Sequence, residues 1–169
     1  MENSLSFPHY HTYFTLQQGK LNEFTTLKAK AYYYLTRKEL DKKEYYAIVY
    51  GIIDTVGKID SPIGRNRHNN LMMVTKTGAN ALTHYKPIKY YDNKTLLNVE
   101  IKTGRTHQIR VHMSSIKHPL VGDKMYGTLD DASRVMLHCQ HIGFVHPILG
   151  YWVDFYAELP NDMKKIMGE

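Results

Sequence analysis

The 169 residues, 43% of them hydrophobic, suffice for one domain with a buried core. The single cysteine, Cys139, excludes an intramolecular disulfide and any four-thiolate zinc site, and favours a reducing, cytoplasmic setting. No apolar run approaches the roughly 20 residues of a membrane span, Met1-Glu2-Asn3-Ser4 lacks signal-peptide character, and 22 Lys plus Arg against 16 Asp plus Glu, with a pI near 9.2, lean towards a polyanion such as nucleic acid.

Residues 1–24 show neither alternation nor a helical stripe and read as irregular. From Thr25 to Leu40 the spacing of Leu27, Ala31, Tyr34 and Leu35 predicts a helix. The aromatic and β-branched run Tyr45 to Ile53 predicts a buried strand, and after Gly57 a second is expected over Lys58 to Ile63. Arg65 to Asn70 is polar and basic and reads as a loop. Ala81 to Tyr91 and Thr95 to Lys102 flank Asp92-Asn93 and form the clearest hairpin, with Leu97, Val99 and Ile101 alternating with polar neighbours. Thr106 can cap a helix to Ile116, placing Ile109, Met113 and Ile116 on one face and stopping before His118-Pro119. Met136 to Val145 and Tyr151 to Leu159 predict a last hairpin around Leu149-Gly150, and Pro160 opens a short helix with Asp162 in its first turn. No repeat, low-complexity tract or Gly/Ser linker interrupts the chain.

The most informative stretch is Gly104-Arg105-Thr106-His107-Gln108-Ile109-Arg110-Val111-His112. It gathers four cationic or potentially cationic side chains at a helix start, where backbone N–H groups also favour phosphate. A polyanion or carboxylate site and a merely solvated basic helix start are equally compatible with that composition. The ten histidines invite a metal reading, but His107, His112 and His118 lack a ligand spacing, and His138, His141 and His146 fall in a strand and turn. No metal is expected.

The run GRTHQIRVH, followed by HPLVGDKMYG from His118 to Gly127, closely resembles the signature of the RluA-type RNA pseudouridine synthases of the ribosomal large-subunit group. Further blocks match in order: KEYYAIVYG from Lys43, GKIDSPIGR from Gly57, ALTHY from Ala81, LHCQHIGFVHP from Leu137 and FYAELPNDM from Phe155. The resemblance implies an α+β fold with a mainly antiparallel mixed sheet and flanking helices. It also implies an RNA isomerase that flips a uridine out of ribosomal or transfer RNA, without metal or organic cofactor, and rejoins the base through carbon 5. It puts Tyr45 against the target base, Arg110 beside the catalytic carboxylate and Leu137 in the wall of the uracil pocket. Read from the residues alone, Tyr45 and Leu137 are equally core residues, Arg110 a phosphate clamp, and Gly122-Asp123 a turn. Arg65, Arg67, Arg105 and His107 are the expected RNA contacts.

The family's His-Arg-Leu-Asp segment, which carries the catalytic aspartate, occurs nowhere in the 169 residues. Leu40-Asp41-Lys42 resembles it superficially, but its charged surroundings make Asp41 a surface residue. The expectation is therefore a divergent segment over 1–24 and a partial, N-terminally truncated catalytic domain over 25–169. Such a chain is expected to be inactive alone, with its missing half either supplied by another chain or absent through an incomplete gene. The alternative is a catalytically silent RNA-binding remnant.

Overall fold

The computed structural model describes residues 42–145 and 151–169. The helix expected over Thr25 to Leu40, the irregular segment before it, Asp41, His146 and the turn at Leu149-Gly150 all lie outside the described residues.

Strand β1 (Lys42–Tyr50) is the middle of the molecule. Ala47, Ile48 and Val49 are fully buried, because this strand carries apolar side chains on both faces and has a neighbour on each edge. It ends at Gly51, whose φ of +83° turns the chain away, so the strand stops short of the expected Ile53. Ser61-Pro62 divides the next expected strand into β2 (Gly57–Asp60) and β3 (Ile63–Arg65), and β3 pairs with β4 (Met72–Val74) in a small separate sheet. Proline has no N–H for a ladder, and here the break frees the Ser61 carbonyl for another partner. The expected loop therefore begins at Asn66.

The central hairpin forms as its sequence predicts, with β5 (Leu82–Tyr91) and β6 (Lys94–Ile101) joined by Asp92-Asn93 at φ 45° and 54°. Both turn residues take the left-handed backbone that a two-residue hairpin requires. The last hairpin consists of β7 (Leu137–Val145) and β8 (Trp152–Tyr156). Phe155 faces inward, whereas Trp152 and Tyr156 are exposed. The main sheet runs β2-β5-β6-β1-β7-β8, and all its described pairings are antiparallel.

Two short helices cover opposite faces of this sheet. Helix α1 (Gln108–Ser115) lays Ile109 and Met113 on the face made by Ala47, Val49, Leu97, Val99 and Ile101. Its other side, through Val111, packs on Ile63 and Ala81, with Met72 and Val74 of the small sheet alongside. Helix α2 (Asn161–Ile166) starts after Pro160, with Asp162 in its first turn. It presses Met163 and Met167 on Ile48, Leu96, Val121 and Met136 of the opposite face. No helix among the described residues is long and apolar enough to cross a membrane.

Candidate active site and RNA-facing surface

Helix α1 begins later than its sequence suggests. The cap is His107, in the left-handed conformation at φ 54° and ψ 25°, and Thr106 does not serve. The first helical residue, Gln108, organises the preceding loop instead. Its Oε1 accepts from the Thr103 hydroxyl at 2.7 Å and the Arg105 N–H at 3.0 Å, while Nε2 donates to the Leu82 carbonyl and Thr83 Oγ1, each at 3.0 Å. One turn on, buried His112 lies 2.9 Å from Thr83 Oγ1 through Nδ1 and 2.9 Å from the Ser61 carbonyl through Nε2. A carbonyl only accepts, so Nε2 carries the proton and Nδ1 accepts from the threonine hydroxyl. Burial holds this imidazole below its ordinary range, against the opposing pull of the Ser61 carbonyl. Gln108 and His112 thus fasten α1 to β5 and to the break before β3.

Arg110 projects from the same helix and meets Asp123. Nε donates to Oδ2 at 2.8 Å and Nη2 to Oδ1 at 2.7 Å, a bidentate pair in which the aspartate side chain is 1% exposed and the arginine 16%. Asp123 Oδ1 also accepts the N–H groups of Met125 and Tyr126. Burial pushes its carboxyl up, but the guanidinium and the two N–H groups outweigh burial and hold it below the ordinary carboxylate range. The turn before it depends on Gly122, at φ +78°, where a Cβ would lie 1.9 Å from the Arg134 carbonyl oxygen. Gly122-Asp123 therefore shapes a turn, as its sequence suggests, and also presents a carboxylate to Arg110.

Tyr126 completes the support. The Arg110 Cζ lies 4.9 Å from its ring centroid. Its hydroxyl accepts the Met72 N–H at 3.2 Å and lies 2.9 Å from His107 Nδ1. Both contacts tie the Tyr126 ring to β4 and to the helix cap, and His107 itself is exposed. Partial burial, then the charges of Arg110 and Arg65, lower the readiness of His107 to protonate, while Asp123 pulls the other way.

The structure thus gathers Arg110 and His107 around Tyr126, with Arg65 near enough for its charge to act on His107. Arg65 donates from Nη1 to the Asn70 carbonyl and Oδ1, at 3.1 and 3.0 Å. Arg67 is exposed in the following turn, with no bond tying it to that group. Arg105 is held on the far side of the loop by a 2.9 Å bond from Nε to the Asn80 carbonyl. Tyr45 and Leu137 share the sheet face under α1, both against the cluster containing Ile109 and Met113. Burial, then neighbouring Cys139, raises the Tyr45 phenol well above its ordinary range. The sequence reading missed two parts of this site, Asp123 as the partner of Arg110 and Tyr126 as its platform. The one available signal was an aspartate one glycine beyond the apolar Leu120-Val121, where a carboxylate inside a core needs a cation. Among the described residues, no group of three His, Cys, Asp or Glu side chains is arranged to hold a metal.

Residues 22–115 match the family model for RNA pseudouridylate synthase. The chain belongs to that family. Ribosomal large subunit pseudouridine synthase D of Zymomonas mobilis is 42% identical over 135 residues, spanning 72% of this chain and 43% of the relative. The uncharacterized RNA pseudouridine synthase YlyB of Bacillus subtilis is 43% identical over 138 residues, spanning 79% and 45%. This pseudouridine synthase chain thus spans less than half the length of these relatives, whose names place it with the RluA type. Human RNA pseudouridylate synthase domain containing 1 superposes with a TM-score of 0.65 at 28% identity, over 77% of this chain and 59% of that one. Domain containing 4, at 19% identity and a TM-score of 0.60, shares the fold. The α+β architecture with its antiparallel sheet and few helices is that of the pseudouridine synthases.

Proposed function

We propose that these residues form the uridine-binding and RNA-facing part of a pseudouridine synthase acting on ribosomal or transfer RNA, organised as the divergent segment 1–24 and a partial catalytic domain over 25–169. One observation carries the reading. Arg110 is fixed by Asp123 and Tyr126 on a helix packed against the very face that bears Tyr45 and Leu137. Asp123 takes the side-on fork of the guanidinium, Nε and one Nη2 proton. The end-on pair of Nη protons suits a second carboxylate. In this reading Tyr45 and Leu137 hold the flipped base, and Arg110 steadies the carboxylate at the sugar. The N-glycosidic bond breaks, the base turns, carbon 5 bonds the sugar carbon and loses its proton to water, and the freed N1 takes up a proton from water in exchange. Arg65, Arg67, Arg105 and His107 bind the surrounding RNA. No metal or organic cofactor is invoked, and the setting is cytoplasmic.

The family's His-Arg-Leu-Asp segment does not occur in the 169 residues, and in this reading neither tyrosine nor arginine replaces its carboxylate at the sugar. Asp123 is committed to Arg110 and to its own turn. The chain by itself therefore does not make pseudouridine, and a segment bearing His-Arg-Leu-Asp restores turnover. A silent RNA-binding remnant is the second reading, favoured by the full engagement of Asp123. Tritium release from carbon-5-labelled uridine in ribosomal or transfer RNA tests both. Activity only after adding the aspartate-bearing segment supports the split enzyme, silence in both reactions supports the remnant, and activity of the chain alone overturns the assignment and makes Asp41 the first residue to mutate.

A further inference from the structure

Lys43 stands two residues before Tyr45 on β1, so strand alternation puts both on the face that α1 covers. Its neighbours Lys42 and Glu44 face the other way and pair with each other at 3.2 Å, and Glu44 also meets His141. Lys43 is half-buried, and among the described residues it has neither an ion pair nor a hydrogen-bonded side-chain partner. A lysine whose stem is packed and whose ammonium has no counter-charge beside it can offer that charge to an arriving anion. Its Nζ lies 3.9 Å from the point that a Cβ at Gly104 would occupy. Gly104 has no positive φ, so backbone geometry does not demand glycine there. An alanine would fit, whereas a larger side chain would cover the ammonium. Gly104 and Arg105 are themselves exposed, and the Arg105 Nε bond to Asn80 leaves its terminal nitrogens clear of that carbonyl.

We propose that Lys43, with the Gly104-Arg105 loop, forms a phosphate subsite for the phosphodiester of the nucleotide whose base meets Tyr45. The proposal rests on the uridine-pocket reading above and extends it to the backbone of the target nucleotide. Two residues along a strand span about 6.6 Å, a distance one nucleotide can bridge from phosphate to base. Lysine suits the task as a compact charge with three rotatable donors. A second cation on the same open loop favours a polyanion over a single carboxylate.

Binding of a uridine-containing single-stranded RNA to the full chain, measured over a range of salt, tests this. Lys43→Ala is expected to weaken binding several-fold at low salt and to reduce the slope of log affinity against log salt by about 0.7, one phosphate contact. Lys43→Arg should keep both, Gly104→Leu should imitate the loss, and Tyr45→Leu should weaken binding with the slope unchanged. If Lys43→Ala does not fold, Lys43→Gln serves the same comparison. An unchanged slope for the Lys43 variant, with a reduced slope for Arg105→Ala, overturns the subsite and leaves the pocket reading intact. A reduced slope for Lys43→Ala with no effect of Tyr45→Leu sustains the phosphate contact and overturns the uridine pocket, and a wild-type chain that does not bind RNA overturns both.

Discussion

At Asp123 the balance between burial and pairing is settled by neighbours on three sides: the Arg110 guanidinium and the N–H groups of Met125 and Tyr126. Removing the cation strands a carboxylate that is 1% exposed, so Arg110→Ala should cost about 3–5 kcal/mol by urea denaturation. Arg110→Ala combined with Asp123→Ala should recover part of that loss, because no charge is then left unpaired. His112 makes the opposite kind of network, neutral and fully satisfied. Its pKa in the folded state lies below the ordinary 6.5, so the stability it contributes is complete above that value and is lost as pH falls through the lower folded one. Urea midpoints of wild type should therefore fall as pH drops below about 6.5, and the fall should be smaller in His112→Gln.

The elements that hold the site are short, and their ends are fixed by particular contacts rather than by propensity. The turn at Gly122 carries Asp123 to Arg110 while its N–H donates to Asp130 Oδ2 at 2.7 Å. Gly122→Ala meets both a positive φ and the Arg134 carbonyl. It should lower stability by at least about 1–3 kcal/mol and weaken RNA binding together with it. Helix α2 is tied back by Arg134, which grips Asp162 at 2.7 and 2.9 Å and donates from Nη1 to the carbonyls of Val135 and Leu137. That ion pair is about one-third exposed and contributes no more than about 1 kcal/mol. Met163, with no exposure at all, matters more: Met163→Ala should cost about 2–5 kcal/mol, read as a lower thermal midpoint. The register of β7 places Leu137 and Cys139 opposite Ala47 and Tyr45, so both candidate pocket residues share one face, and a β-bulge beyond Cys139 then brings His141 opposite Glu44.

Across the whole molecule, a formal charge of +6 sets the long-range attraction for RNA, and the cations around Tyr126 and Gly104 focus it. Affinity for structured ribosomal RNA should fall steeply between two salt concentrations, with little dependence on sequence, because phosphate contacts dominate. Affinity indifferent to salt would refute the RNA-facing reading. The sheet architecture makes its own prediction: far-ultraviolet dichroism should be dominated by strand, since α1 and α2 are eight and six residues long among the described residues.

The α+β class, the Asp92-Asn93 hairpin, the apolar face of α1 and the opening of α2 at Pro160 were legible from sequence. Each depends on residues close together in the chain: a two-residue turn, a period of two, a helical stripe, a proline at a helix start. The family, too, was legible, because its ordered blocks survive as residue identities. What only the tertiary structure decided is where charge and protons sit. Thr106 lost the cap because Gln108 reaches back to Arg105, and Pro62 split a strand whose freed Ser61 carbonyl is met by His112. Thirteen positions separate Asp123 from Arg110, and 61 separate Lys43 from Gly104, yet strand, helix and loop bring each pair together.

 Pairings of this kind leave no periodic trace, because a buried charge selects its partner by distance and desolvation in the folded chain and not by spacing along it. The sequence by itself determined the class, the family and the two hairpins of the main sheet. Tertiary packing alone decided that Asp123 and Tyr126 hold Arg110, and that Lys43 stands beside Gly104 with no ion pair among the described residues.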